Sequence, residues 1–165
     1  MKRGSTPIKS GSTLFLRFVL CLIAIGALAG MIWFPQTEGR AANLDLISIY
    51  TDPFIIYGYI ASLPFFVGLY QAFKLLGYIE HNKAFSQTAV NALRNIKDCA
   101  LILIAALIAG IVYIRFASGG DDPAGAIAVG ICVTFAFVVI ATGATVFERL
   151  LQNAVDIKSE NDLTV

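Results

Sequence analysis

Of 165 residues, 58% are hydrophobic and only 14% are charged. That is too little polar surface to clothe a water-soluble core, so the composition excludes a soluble globular domain and indicates an integral membrane protein. The formal net charge is only +1 and the basic residues are dispersed, so direct nucleic-acid binding is not expected.

A helix needs about 20 apolar residues to cross the hydrocarbon of a bilayer. Four runs come close, at 14–34, 54–73, 99–116 and 124–147. They predict an all-α, integral membrane four-helix bundle that forms a single domain over 1–165.

Residues 1–13 are small, polar and basic, a lead-in from which Ser12 or Thr13 can cap the first helix. Arg17 alone interrupts the first span. Gly26 and Gly30 lie on it in a GxxxG spacing, which lets another helix backbone approach closely. A cleaved signal peptide is the competing reading, with Ala27 and Ala29 as the small residues of a cleavage site. The run continues through Trp33 and Phe34, however, longer than a signal core and ending in interfacial aromatics, which favours a retained span.

Residues 35–52 read as an external loop, and 44–50 are too apolar to hang free, so they are expected at the membrane surface or over the bundle mouth. Asp52-Pro53 opens the second span and Asp122-Pro123 the fourth. In each, Asp accepts from the orphan amides of the first turn while Pro fits the first helical position. Pro64 lies near mid-span, removes the amide that the Ile60 carbonyl would accept from, and predicts a kink. Ser62, a threonine of the fourth span or a water would then satisfy that carbonyl. Tyr57, Tyr59, Tyr70 and Tyr78 divide between the two ends and read as belt residues.

The connection 74–98 is polar at first, and its His81 has no second ligand at a metal-binding spacing. Ser86 can cap a helix on which Phe85, Ala89, Leu93 and Ile96 repeat at steps of four and three. This amphipathic extension, 85–98, runs straight into the third span. Residues 117–123 make a tight hairpin link through two glycines. On the fourth span Ala126, Gly130 and Thr134 align at intervals of four, a second seam of small residues for helix packing. Leu150, Leu151, Ala154 and Val155 carry the apolar stripe onward into a second extension, 148–158, followed by a polar, acidic tail. The two extensions are expected to cover each other's apolar faces, with another subunit or a soluble partner as the competing cover.

Of the twelve Lys and Arg residues, only Arg40 and Arg115 fall in the two far loops. The positive-inside rule therefore makes the other side, with both termini and both extensions, cytoplasmic. Cys21, Cys99 and Cys132 have no closely spaced partner and read as buried, inert thiols rather than as a disulfide or zinc site.

The stretch Lys83-Ala84-Phe85-Ser86 with Leu93-Arg94-Asn95-Ile96-Lys97, and the closing 150–165 with its Glu160-Asn161-Asp162-Leu163-Thr164 ending, resemble the YoaS-like group of small bacterial four-helix membrane proteins, a domain-of-unknown-function family. The second motif is the more specific, because membrane insertion does not demand an acidic ending. The resemblance implies a multi-pass protein of the bacterial cytoplasmic (inner) membrane. That family has no established reaction, and no catalytic residues carry over. Its genes often accompany one for a small helix-turn-helix regulator, which implies a cytoplasmic transcription regulator as partner.

Walker, GxGxxG, HExxH, CxxC and GxSxG motifs are absent. Mid-span positions hold no ionisable group of the kind that proton relays and ion pathways use. The leading expectation is therefore a non-enzymatic membrane protein, without cofactor or metal, that binds a partner through its cytoplasmic face. The contact residues would be Phe85, Leu93, Arg94, Lys97, Leu150, Leu151, Lys158, Asp162 and Leu163. The alternative is a homo-oligomeric channel or small-solute transporter, motivated by the Pro64 kink and the seams at Gly26, Gly30, Ala126, Gly130 and Thr134.

Overall fold

The computed structural model describes residues 10–37, 46–81, 83–117 and 123–162. Its elements are all helical: α1 (Ser10–Thr37), α2 (Leu46–Tyr50), α3 (Pro53–Glu80), α4 (Gln87–Ala117) and α5 (Ala124–Asp162). All but the short α2 are long and apolar enough to cross a membrane. At about 1.5 Å per residue, the 31 residues of α4 measure about 46 Å and the 39 of α5 about 58 Å. Both therefore outrun a hydrocarbon layer of about 30 Å.

The helix starts follow local chemistry. Asp52 Oδ1 accepts the Phe54 amide at 2.7 Å, with Pro53 in the first turn. Ser86 precedes α4, and its carbonyl accepts the Ala89 and Val90 amides at 3.0 and 3.2 Å. Asp122 and the glycines of the 118–122 link lie outside the described residues. Ser12 and Thr13 prove to be inside α1, which already begins at Ser10, so neither is its cap. α5 also runs beyond 158, to Asp162.

Two prolines sit within helices. The first, Pro35, was expected to open a loop, yet α1 continues to Thr37. A proline leaves the carbonyl four residues earlier without its donor, and here the Tyr59 hydroxyl of α3 donates to that Met31 carbonyl at 2.9 Å. The next carbonyl, Ile32, receives the Tyr50 hydroxyl of α2 at 3.0 Å. Tyr57 similarly donates to Ala106 of α4 at 2.6 Å. Tyr57 and Tyr59 thus fasten α3 to its two neighbours. Around Pro64, α3 stays one continuous helix. Ser62 donates to Tyr59 at 2.7 Å, while Thr134, Thr142 and Thr145 each donate to a carbonyl of their own helix.

Packing follows chain order: α1 lies on α3, α3 on α4 and α4 on α5, with no substantial face shared by α1 and α5. Among the described residues the four long helices thus pack in series, as an open arc. An edge-on contact between Phe65 and Phe137, centroids 6.4 Å apart, links α3 to α5. Burial is densest in the first half of α4, at Ala89, Val90, Ala92, Leu93 and Ala100, with Leu103 and, on α5, Ala141 and Ala144 near mid-helix. No apolar window of a candidate span is more than 11% buried.

The two small-residue seams part ways. A Cβ on Gly130 would stand 2.9 Å from Ile111 Cγ1, so α4 and α5 meet closely there. Thr134 supports this turn by donating to the Gly130 carbonyl at 2.7 Å, while Ala126 is exposed. Gly26 and Gly30 meet nothing within 4 Å, so within the chain they pack nothing. The cysteines are free thiols, but Cys21 and Cys132 are exposed rather than buried, as apolar groups facing lipid can be.

Candidate functional site

Where α4 begins and α5 ends, one carboxylate joins them. Glu148 lies in register with the buried Ala141 and Ala144 of α5, almost fully covered. Its Oε1 accepts from Arg94 Nε at 2.8 Å and its Oε2 from Lys97 Nζ at 2.7 Å. Arg94 and Lys97 stand three residues apart on α4, the spacing that puts two side chains on one face. These bonds, that from Lys97 foremost and then that from Arg94, hold the Glu148 carboxyl below the usual glutamate range against the upward push of burial. Further toward the tip, Gln87 Nε2 donates to Gln152 Oε1 at 3.3 Å.

A second ion pair ties α1 to α3. Arg17 NH2 lies 2.6 Å from Glu80 Oε2, both side chains about one-third exposed, and its guanidinium sits 5.2 Å from the centre of the Phe73 ring. His81 closes α3, its backbone amide donating to Gly77 at 3.2 Å. Because the chain passes from Glu80 to the start of α4 within a few residues, both ion pairs occupy one end of the molecule.

The expected contact residues divide. Leu93 is buried, Arg94 and Lys97 are engaged by Glu148, and Leu151 is half-buried. Phe85, Leu150 and Lys158 are exposed. Asp162 is the last residue of α5, with its side chain outside the description, and Leu163 lies outside the described residues. The extensions cover each other in part: Ala89 and Leu93 are buried and Leu151, Ala154 and Val155 half-buried, while Phe85 and Leu150 of the expected stripes stay exposed. Glu148 and Gln152 read in the sequence as the polar face of the second extension and Glu80 as part of a polar turn; their pairing was not foreseen, and Glu148 is buried rather than on the surface. For Glu148 a signal existed: an acid recurring at helical spacing with Ala141 and Ala144, opposite a helix carrying Arg94 and Lys97.

In the spans, the arc leaves a groove between α1 and α5, floored by α3 and α4. Two cavities occupy it, of about 410 and 260 Å³, sharing Phe65, Leu103 and Phe137 in their walls. Pro64 lines the one nearer the ion pairs.

Four apolar helices fastened by ion pairs at one end define a multi-pass integral membrane protein. More particularly, the chain belongs to the DUF2975 family of proteins of unknown function, which it matches over residues 36–165. It is 45% identical over 156 residues, 93% of this chain and 98% of the relative, to the uncharacterized membrane protein YoaS of Bacillus subtilis (strain 168). The resemblance carried by 83–97 and 150–165 is thus a family relationship. No solved structure matches the chain.

Proposed function

We propose that this chain is a non-catalytic protein of the bacterial cytoplasmic membrane, with both termini inside, whose inner face docks a soluble partner, a small helix-turn-helix transcription regulator. One observation carries this reading. The prolongations of α4 and α5 close on each other through Leu93 and Glu148, yet Phe85, Leu150 and Ile157, on the stretches read as lying outside the bilayer, are 60, 58 and 63% exposed. Large apolar side chains held on a rigid body in water mark a surface that a partner covers. The skewed placement of Lys and Arg supports the inward orientation, and the gene neighbourhood implied by the family supports the kind of partner. A channel or transporter finds less support: Pro64 lines a cavity, but its neighbours there include Leu20, Phe65 and Leu69, walls that offer a hydrated solute no partners.

The test is affinity capture of the tagged full-length protein from its own membranes, beside the double variant Phe85→Ser/Ile157→Ser. The regulator is expected with the wild type and reduced at least about tenfold with the variant, at equal membrane levels. Equal capture by both, or no regulator with either, overturns the reading.

A further inference from the structure

The larger of the two cavities, of about 410 Å³, lies in the half of the spans away from the ion pairs. Its walls run from Phe54 to Phe65 on α3 and from Leu103 to Ile114 on α4, in each case about 17 Å at 1.5 Å per residue. That is close to one leaflet, half of a hydrocarbon layer of about 30 Å. Toward mid-membrane the chamber ends on Phe65, Leu103 and Phe137, which it shares with the smaller cavity, and the rings of Phe65 and Phe137 meet there edge-on. Its sides are Ala27 and Met31 of α1 and Ala126 and Gly130 of α5. These two helices share no substantial face, so the chamber opens sideways between them into the bilayer.

We propose that this chamber is a lipid site, taking one hydrocarbon tail of a phospholipid from that leaflet as a fixed part of the folded protein.

The chemistry of the wall selects a tail. Its only polar side chains are Tyr57 and Ser62, and each spends its proton inside the protein, Tyr57 on the Ala106 carbonyl at 2.6 Å and Ser62 on the Tyr59 carbonyl at 2.7 Å. No side-chain donor is left for the polar groups of a solute, and water entering the chamber would lack the polar partners it needs. The wall also keeps its space open. On α3, Phe54, Gly58, Ala61 and Phe65 recur at steps of four, three and four, which sets Gly58 in the middle of the lining face. A Cβ built there meets nothing within 4 Å, so the void begins at the backbone. Glycine is a poor helix former beside alanine or leucine, and here the missing side chain is what leaves room. Finally, the position decides the source. A free apolar molecule would have to displace lipid tails that surround the opening at far higher concentration, and occupancy follows concentration as well as affinity. The site stands whether or not a soluble partner docks at the other end of the molecule.

The experiment is native mass spectrometry of the full-length protein, extracted from its own membranes in detergent and washed until loosely held lipid is gone. Wild type is expected to keep one phospholipid per chain, and Gly58→Leu, whose side chain fills the chamber, at least about fivefold less. Ala27→Leu, filling it from α1, is expected to match Gly58→Leu. Gly26→Leu, on the exposed surface of α1 outside the chamber, is expected to keep the lipid. Added back to the delipidated wild type, dipalmitoyl phosphatidylglycerol is expected to bind at least about tenfold more tightly than the dioctanoyl form, because each further buried methylene adds to binding. It is also expected to raise the midpoint of thermal unfolding of the wild type but not of Gly58→Leu. Equal retention by wild type and both filled variants, a wild type bare of lipid, a bound compound other than a phospholipid, or a second copy of the chain in place of lipid would each overturn the proposal.

Discussion

Glu148 occupies a position on α5 that its register assigns to an apolar residue, and the reason is the pair of cations opposite. Replacing it by alanine leaves Arg94 and Lys97 facing a low-dielectric seam without a counter-charge. An exposed pair contributes about 0–1 kcal/mol and breaking a buried one costs about 3–5 kcal/mol. With Glu148 covered and Arg94 half in water, a loss of about 2 kcal/mol is expected for Glu148→Ala, read as a lower midpoint of thermal unfolding in detergent. The pH dependence has a definite sign. The folded carboxyl titrates below its ordinary value of 4.5, so its stabilisation is complete above that value and vanishes as pH falls through the depressed one. The midpoint difference between wild type and Glu148→Gln should therefore be widest near neutral pH and shrink in acid; a constant difference would show that the charge is irrelevant. Much at this scale was legible, including the Asp52 and Ser86 caps. The hydroxyl of Tyr59 on the Met31 carbonyl was not, because only the assembled pair of helices shows which tyrosine answers which proline.

At the scale of elements, two seams of small residues look alike in the sequence and differ in the structure. Spacing says that a backbone can approach, not whether one does. Gly130 has Ile111 against it, whereas Gly143, on the same α5, has nothing within 4 Å. Gly130→Ala should therefore cost about 1–3 kcal/mol through overpacking, while Gly143→Ala should be neutral or stabilise by up to about 1 kcal/mol through reduced freedom of the unfolded chain. Side-by-side thermal unfolding checks this, and equal effects would remove Ile111 as the cause. The bounds of the helices, taking spans and extensions together, were readable to within a few residues, except that α3 runs to Glu80, seven beyond the expected end at 73. The continuation of α1 through Pro35 was not, since it rests on α2 and α3 supplying donors.

For the whole molecule, four helices long and apolar enough to cross a membrane follow from hydropathy, whereas the ion pairs at one end had to be seen in the fold. The openness of the arc does not follow from hydropathy either, because apolar residues facing lipid and apolar residues facing another helix read the same. If the ion-paired end lies in the cytoplasm, single cysteines in a cysteine-free background should report it to a membrane-impermeant maleimide. Ile47→Cys, on the exposed α2, should label in intact cells, whereas His81→Cys and Ser159→Cys should label only after permeabilisation. The reverse pattern would turn the protein over and remove the proposed docking face from the cell interior.

The length of α5 has a mechanical corollary. It contains no proline, and one close approach to α4, at Gly130 and Ile111, lies near one extremity. Treated as a rod on that fulcrum, its arms measure about 9 Å toward Ala124 and about 48 Å toward Asp162 at 1.5 Å per residue. On that fulcrum alone a nudge at the short arm would emerge at the far tip enlarged about fivefold; the buried Ala141 and Ala144 and the grip of Arg94 and Lys97 on Glu148 hold the rod along the way.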